Sequence, residues 1–231
     1  MIAIGFAVLA RLMGAVTDGG ALAGIAVAVV LMIAAGTAGF LPLAAVFLLT
    51  AFATRLGSRR KQSLGVAERS SGRTVSQVVA NLGSTTLCAL AVCFFPRFGS
   101  VLLAAAMAAL AEAAADTVSS EVGQGTSRHA YLITDFRSVP VGTNGAVSLA
   151  GTIAGMLAAF LVAWVAAACR VVSVAWVPVI SLAGIGGMLI DSILGATLEN
   201  AGEMGNDAVN FVSTVFAADV ALLVGLALQR L

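Results

Sequence analysis

The chain has 231 residues, of which 60% are hydrophobic and only 10% charged, and its net charge is +1. This composition belongs to an integral membrane protein and offers no basic tract for nucleic acid. A single histidine and three scattered cysteines exclude a zinc site and make a Ser–His–Asp triad untenable.

No charge occurs in residues 19–54, 74–96, 138–169 or 171–190, and a spanning helix needs roughly 17–25 mostly apolar residues. In chain order the expected helices are 1–16, 20–36, 39–54, 75–95, 99–121, 146–169, 174–197 and 207–229. The prediction is therefore an all-α, polytopic integral membrane helical bundle of about 6–8 transmembrane helices, forming one transmembrane domain over 1–231. The opening run has no basic segment ahead of its apolar stretch, so it reads as retained rather than cleaved. Cys88, Cys93 and Cys169 read as small buried hydrophobes. Gly151 and Gly155 form a GxxxG, a helix-packing signal in lipid.

Three polar connections, about 55–74, 122–145 and 198–206, are expected on one face. Arg55, Arg59, Arg60, Lys61, Arg69, Arg73, Arg128 and Arg137 flank or fill the first two, against Arg97, Arg170 and Arg230 elsewhere. The positive-inside rule makes that face cytoplasmic, in a bacterial cytoplasmic membrane.

A carboxylate at bilayer depth costs on the order of 2.5–3.5 kcal/mol unless it faces a bundle interior, a cation or water. Glu112, Asp116 and Glu121 interrupt or end an alanine-rich run. The first two are four residues apart, about 40° round a helix, and like charges so placed need a proton, an arginine or a metal. An oxygen-rich, nitrogen-poor set suits magnesium; the other reading is protonated or arginine-paired acids that pack helices. Asp191 lies deep in a second run, with Glu199 about 80° round the helix. Asp207 near a helix start can complement its dipole, and Asn206, Asn210 and Ser213 share a face. Gln77, Asn81 and Ser84 form a polar stripe that serves as interhelical glue or as a site wall.

The stretch Gly142-Thr143-Asn144-Gly145 runs into a helix, where glycines and free N–H groups suit a phosphate. The first loop is not a Walker A, but its cations can hold phosphates or lipid headgroups, or only set topology.

Four stretches together, RLGSRRKQSLGVAERSSGRTVSQVVAN (55–81), AEAAADTVSSEVGQ (111–124), YLITDFRSVPVGTNGAVSLAGTIAG (131–155) and DSILGATLEN…NDAVNF (191–211), resemble the integral-membrane family that includes the plant phytyl-phosphate kinase of tocopherol synthesis. The family pattern is carried by Arg55, Gly57, Lys61, Gly65, Glu68, Gly72, Arg73, Gln77 and Asn81. It continues through Asp116, Ser120, Glu121, Gly123, Pro140, Gly142, Thr143, Asn144, Gly145 and Ser148, then Asp191, Ser192, Gly195, Asn206, Asp207 and Asn210. The loop after Glu121 is short, a departure from the pattern. The resemblance implies a multispan kinase that converts a prenyl monophosphate to a diphosphate. A more distant likeness to CTP-using membrane kinases and cytidylyltransferases suggests CTP, with ATP the alternative.

The expectation joins these readings. Asp116, Glu121 and Asp191, with Glu112, hold one or two magnesium ions. Arg55, Lys61 and Arg73 hold the nucleoside triphosphate, and the prenyl phosphate sits near Arg137 and residues 142–145. Asn81, Asn206, Asp207 and Asn210 complete the binding set. An acceptor that is already a phosphate anion needs no general base. The rivals are a membrane nucleotidyltransferase or lipid-phosphate phosphotransferase and, from another class, an ion-coupled transporter that uses Asp116 and Asp191 as carriers.

Overall fold

The computed structural model describes residues 1–67 and 72–229; Glu68, Arg69 and Arg230 lie outside them. The helices are α1 (Ile2–Leu12), α2 (Asp18–Ala35), α3 (Phe40–Arg55), α4 (Ser58–Leu64), α5 (Val75–Phe94), α6 (Gly99–Thr126), α7 (Leu149–Ala168), α8 (Val177–Leu194) and α9 (Asn206–Leu228). Seven of the helical stretches, all but α1 and α4, are long and apolar enough to cross a membrane, and the molecule is an integral membrane helical bundle. The opening helix is shorter than expected at 11 residues. Gly14, at φ +69°, ends it in a turn. The Thr17 hydroxyl then caps α2 by accepting from the Gly20 N–H at 3.1 Å.

Helix α6 occupies the middle. It packs against α3, α5, α7, α8 and α9, and 72% of its apolar window is buried, against 39% or less in the other six spans. Every residue from Ala104 to Ala115 is buried. Alanine favours the helix most and lets neighbours approach closely where no hydrophobic force separates protein from lipid. The facing helices match it with glycine. A Cβ on Gly151 would lie 2.5 Å from the Ser119 carbonyl oxygen, and one on Gly155 would lie 2.7 Å from that of Ala115. A Cβ on Gly184 would meet the Glu112 N–H nitrogen at 3.0 Å. The GxxxG is thus the α7 side of the central contact.

The polar connections gather at one end, but they are not plain loops. The first contains α4, a short basic helix bounded by Gly57 and Gly65, both left-handed, at φ +64° and +72°. Its entry touches α6: a Cβ on Gly57 would sit 2.6 Å from the Gly125 carbonyl oxygen. The second is shorter than expected, because α6 runs on to Thr126. Beyond it lies a small antiparallel sheet of β1 (Ala130–Leu132), β2 (Ser138–Val139) and β3 (Ala146–Val147), in the order β2-β1-β3. Tyr131 pairs with Ser138 on one side and Val147 on the other. The third begins in a π turn, Gly195–Glu199, at the end of α8.

The cysteines are free thiols. Cys93 is exposed, contrary to the burial expected for it, because its helix turns that face outward near its end; Cys88 and Cys169 are half-buried.

Filling the α6–α7 contact should destabilise the bundle, since overpacking typically costs about 1–3 kcal/mol. Gly155→Leu should lower the melting temperature in detergent. Gly186→Ala, whose Cβ would meet only Phe216 at 3.5 Å, should leave it near the parent value.

Candidate functional site

Two cavities open at the loop-bearing end, one walled by α6 and α8 and the other by residues 13–16, α3 and α4. The first is a cleft of about 190 Å³ between α6, α8, the start of α9 and the 141–148 segment. It collects Asp116, Gly142, Thr143, Asn144, Gly145, Asp191 and Asn206 from the expected set. Asp116 on α6 and Asp191 on α8 face each other closely enough for their carboxyl groups to interact directly. The Ser213 hydroxyl donates to Asp191 Oδ2 at 3.2 Å, which fixes that carboxylate from α9.

The glycine segment is clamped rather than free. A Cβ on Gly195 would lie 2.9 Å from the Gly145 nitrogen, and Asn200 Nδ2 donates to the Asn144 carbonyl at 3.2 Å. Gly142 and Gly145 adopt φ +92° and +72°, values only glycine accepts cheaply. Ser148 then caps α7, accepting from the Gly151 N–H at 3.2 Å. This brings a helix N-terminus, with its free N–H groups, to the cleft wall.

The π turn has a second effect. On a regular helix Glu199 would sit about 80° from Asp191. The wider π turn advances less per residue, and Glu199 lines the same cleft as Asp191. Glu199, Ser192, Ser119, Ser120 and Gln124 also line it; Ser119 and Ser120 read from the sequence as oxygens beside the acids, Ser120 and Ser192 carry the family pattern, Glu199 reads with Asp191, and Gln124 alone had no assigned role. The signal available was the spacing of these polar residues, i+3, i+4 and i+8 from Asp116 and i+1 and i+8 from Asp191.

The second cavity, about 250 Å³, is lined by Arg55, Lys61 and Arg73 with Ser58, Gln62, Thr50 and Thr54. Arg73 is held by its backbone. Its N–H donates to the Ala15 carbonyl at 3.0 Å and its carbonyl accepts from the Thr17 N–H at 3.0 Å. Its guanidinium lies within charge-interaction range of Asp116.

Lys61 and Glu121, expected as catalytic or metal-holding groups, are joined to each other. The Lys61 ammonium, with 1% of the side chain exposed, donates to Glu121 Oε2 and to the carbonyls of Ala53 and Thr54 at 3.1 and 2.6 Å. An ammonium has three hydrogens, and all three are used. Glu121 Oε1 accepts from the Thr54 hydroxyl at 3.1 Å. Glu121 therefore faces α3 and α4, about 140° round α6 from Asp116.

Glu112, one turn from Asp116, is 1% exposed, and its Oε1 has no hydrogen-bond partner among the described residues. Among those residues no three acidic, histidine or cysteine side chains form a group able to hold a metal by themselves. Arg137 is exposed and lies 3.8 Å from Asp135, outside both cavities. The polar stripe on α5 divides. Gln77 closes a capping box with Thr74, Asn81 donates to the Gln77 carbonyl at 2.9 Å, and Ser84 meets Thr214 of α9 at 2.9 Å. Asp207 stands in the first turn of α9, and the Asn210 carbonyl accepts from Ser213 at 3.0 Å.

These features define a polytopic membrane protein with an acid-lined cleft and a cation-lined pocket at one end. The chain belongs to the family described as integral membrane protein DUF92, whose model matches residues 1–218. It is 34% identical over 197 residues to the uncharacterised membrane protein sll0875 of Synechocystis, covering 84% of this chain and 76% of that one. It is 33% identical to the chloroplastic protein VTE6 of Arabidopsis thaliana, covering 81% of this chain and 59% of the plant protein. It is 32% identical to the uncharacterised membrane protein MJ0933 of Methanocaldococcus jannaschii, covering 77% and 72%. No solved structure matches the chain. Membership bears out the resemblance drawn from the four sequence stretches.

Removing one member of a buried ion pair leaves the other uncompensated, at about 3–5 kcal/mol. Lys61→Met alone should therefore cut the yield of folded protein in detergent. Lys61→Met with Glu121→Leu should recover much of it, a non-additivity that a double-mutant cycle reads directly.

Proposed function

We propose that this chain transfers a phosphoryl group from a nucleoside triphosphate, CTP or ATP, to an isoprenoid monophosphate at the cytoplasmic face of the membrane. An oxygen of the acceptor phosphate attacks the γ-phosphorus. The bond from that phosphorus to the β-bridging oxygen breaks, and a nucleoside diphosphate leaves. The observation that carries the reading is the facing pair Asp116 and Asp191, rimmed by the clamped 142–145 segment, with Arg73 within charge range of Asp116. The resemblance to the phytyl-phosphate kinase family supplies the substrate class.

The donor set fits magnesium, which binds through one or two carboxylates plus phosphate oxygens and waters rather than in an all-protein cage. Asp116 and Asp191 would hold it, with Glu199 at the rim. When bound, the ion would neutralise charge on the donor phosphates. Transfer between two anions needs positioning and screening more than proton removal. Arg73 and Arg55 supply positive charge beside the acceptor. The N–H groups at the start of α7 and the backbone of residues 142–145 suit the donor phosphates. Lys61 and Glu121 act as positioning residues that fix α4 against α3 and α6. Glu112, buried behind the pair, supports a second reading, an ion-coupled transporter in which a chain of carboxylates carries a cation.

Asp116→Asn and Asp191→Asn should each reduce magnesium-dependent formation of prenyl diphosphate by about 100-fold or more, the scale of losing one preorganised electrostatic group, while both proteins still insert in the membrane. Product mass and nucleotide consumption in detergent measure this, and mass also separates kinase from nucleotidyltransferase. Undiminished transfer in both variants would overturn the assignment. Ion flux into liposomes without nucleotide, lost in Asp191→Asn, would favour the transporter.

A further inference from the structure

The small sheet at the loop-bearing end has two unlike faces. Ala130 and Leu132 of β1 point inward and are buried, and Ala130 helps to line the acid cleft. Tyr131, the only tyrosine in the chain, points outward between Ser138 and Val147 and is exposed. The turn joining β1 to β2 presents a second ring. Phe136 is 72% exposed and holds φ +56°, a left-handed conformation that a bulky L residue adopts only against steric resistance. Arg170 apart, the described residues give positive φ only to glycine. The turn is locked around the ring. The Phe136 N–H donates to the Leu132 carbonyl at 2.9 Å, and the Leu132 N–H donates to the Arg137 carbonyl at 2.9 Å. The Arg137 N–H donates to Asp135 Oδ1 at 3.0 Å. An aromatic side chain is thus held outward where glycine would fit more cheaply, and it lines neither cavity of the candidate site.

Helix ends fix the depth of the sheet. α7 has 20 residues, about 30 Å of rise, which matches a hydrocarbon core of about 30 Å. Leu149, Ile153, Leu157, Phe160 and Trp164 of α7 are all exposed, and their steps of three or four residues make one apolar stripe. This lipid-facing stripe begins at Leu149, and Val147, which pairs with Tyr131, lies two residues before it. The sheet does not project away from the bundle. Ser127, just past the end of α6, donates to the Ser148 hydroxyl at 2.9 Å, and Gly145 lies against Ala196, just past the end of α8. Residues 145–148 therefore cross from one helix end to another at one level. The Ile133 N–H donates to the Gly145 carbonyl at 3.1 Å, so the 133–136 turn shares that level. It is the level of the headgroups, where aromatic rings collect. Arg128 and Arg137 are exposed beside the rings, and Asp135 is the only acid in residues 127–148. Rings flanked by cations complement an anionic lipid surface.

We propose that the outer face of the sheet and its 133–136 turn form an interfacial anchor in the leaflet at this end of the bundle. The Tyr131 and Phe136 rings enter the headgroup layer, and Arg128 and Arg137 meet the phosphates of anionic lipids. Ala130 and residues 141–148 wall the acid cleft, so the anchor holds that wall at the membrane surface. It does so whether or not the cleft transfers a phosphoryl group.

The single tyrosine supplies the test, because meta-fluorotyrosine incorporated into the full chain gives one fluorine resonance. In nanodiscs containing phosphatidylglycerol, a nitroxide carried near the lipid headgroup should relax that resonance severalfold more than a water-soluble gadolinium chelate does. Exchanging the rings, Tyr131→Phe with Phe136→Tyr, moves the reporter to the turn, where the same ordering is expected. Arg137→Gln should lower the preference of the Tyr131 signal for labelled phosphatidylglycerol over labelled phosphatidylcholine by about fivefold, the scale of one cation near an anionic surface. Phe136→Gly removes the ring and suits the left-handed turn, so the melting temperature in detergent should hold or rise while the nitroxide effect at Tyr131 falls severalfold. Stronger relaxation by gadolinium at either position puts that ring in water and overturns the anchor. Protection from both agents puts the face against a second copy or another protein and overturns it equally. An undiminished nitroxide effect in Phe136→Gly overturns it as well.

Discussion

A helix carrying three carboxylates at the centre of a membrane bundle is the constraint around which the rest is arranged. Helix α6 can be central because nine of the twelve residues from Ala104 to Ala115 are alanine, so five neighbouring spans approach its backbone. The same closeness shuts out water, and each acid on α6 then needs its own solution. Glu121 is neutralised by Lys61, whose remaining hydrogens go to the last carbonyls of α3. Asp116 opens on the polar cleft, opposite Asp191 and within reach of Arg73. Glu112 is enclosed, with one oxygen unpartnered among the described residues. Burial of charge without water is costly. One helix therefore organises an anchor, a cleft and a buried acid in turn along its length.

The loop-bearing end gains its rigidity from backbone contacts where glycine replaces a side chain. Gly57 lies on Gly125, and Gly145 lies on the π turn beside Gly195. Arg60 donates to the Ser127 carbonyl, and Arg73 pairs its backbone with residues 15–17. Backbone approach fixes position more tightly than long side chains can, because few rotamers remain to be ordered. The cleft is thus built on helix ends and clamped turns, although its residues come from segments that look like loops.

Much of this was legible in the chain. Charge-free runs located the spans, the GxxxG marked a helix-packing face whose partner the structure shows to be α6, and the spacing of Glu112 and Asp116 put both on one face. The resemblance of four stretches placed the chain in its family. Other features were not legible. Residues 58–64 form a helix inside a polar, basic loop, and a helix of 7 residues is too short for periodicity to reveal. The small sheet in 130–147 rests on strands of two or three residues. The π turn is decided by the packing of α8 against the 142–145 segment. The grouping of Glu121 with Asp116 overlooked the angle between them round the helix.

The sequence by itself determined that the chain crosses the membrane several times, that its cations collect at one end, and that its acids occur where lipid would reject them. Hydropathy, charge and spacing are local properties, so they survive in one dimension. Only the tertiary structure decided which acid meets a lysine and which meets another acid, and that the acid-lined cleft and the cation-lined pocket are separate cavities. Those pairings depend on which face each helix turns to its neighbours, a property of the packed bundle and not of any one segment.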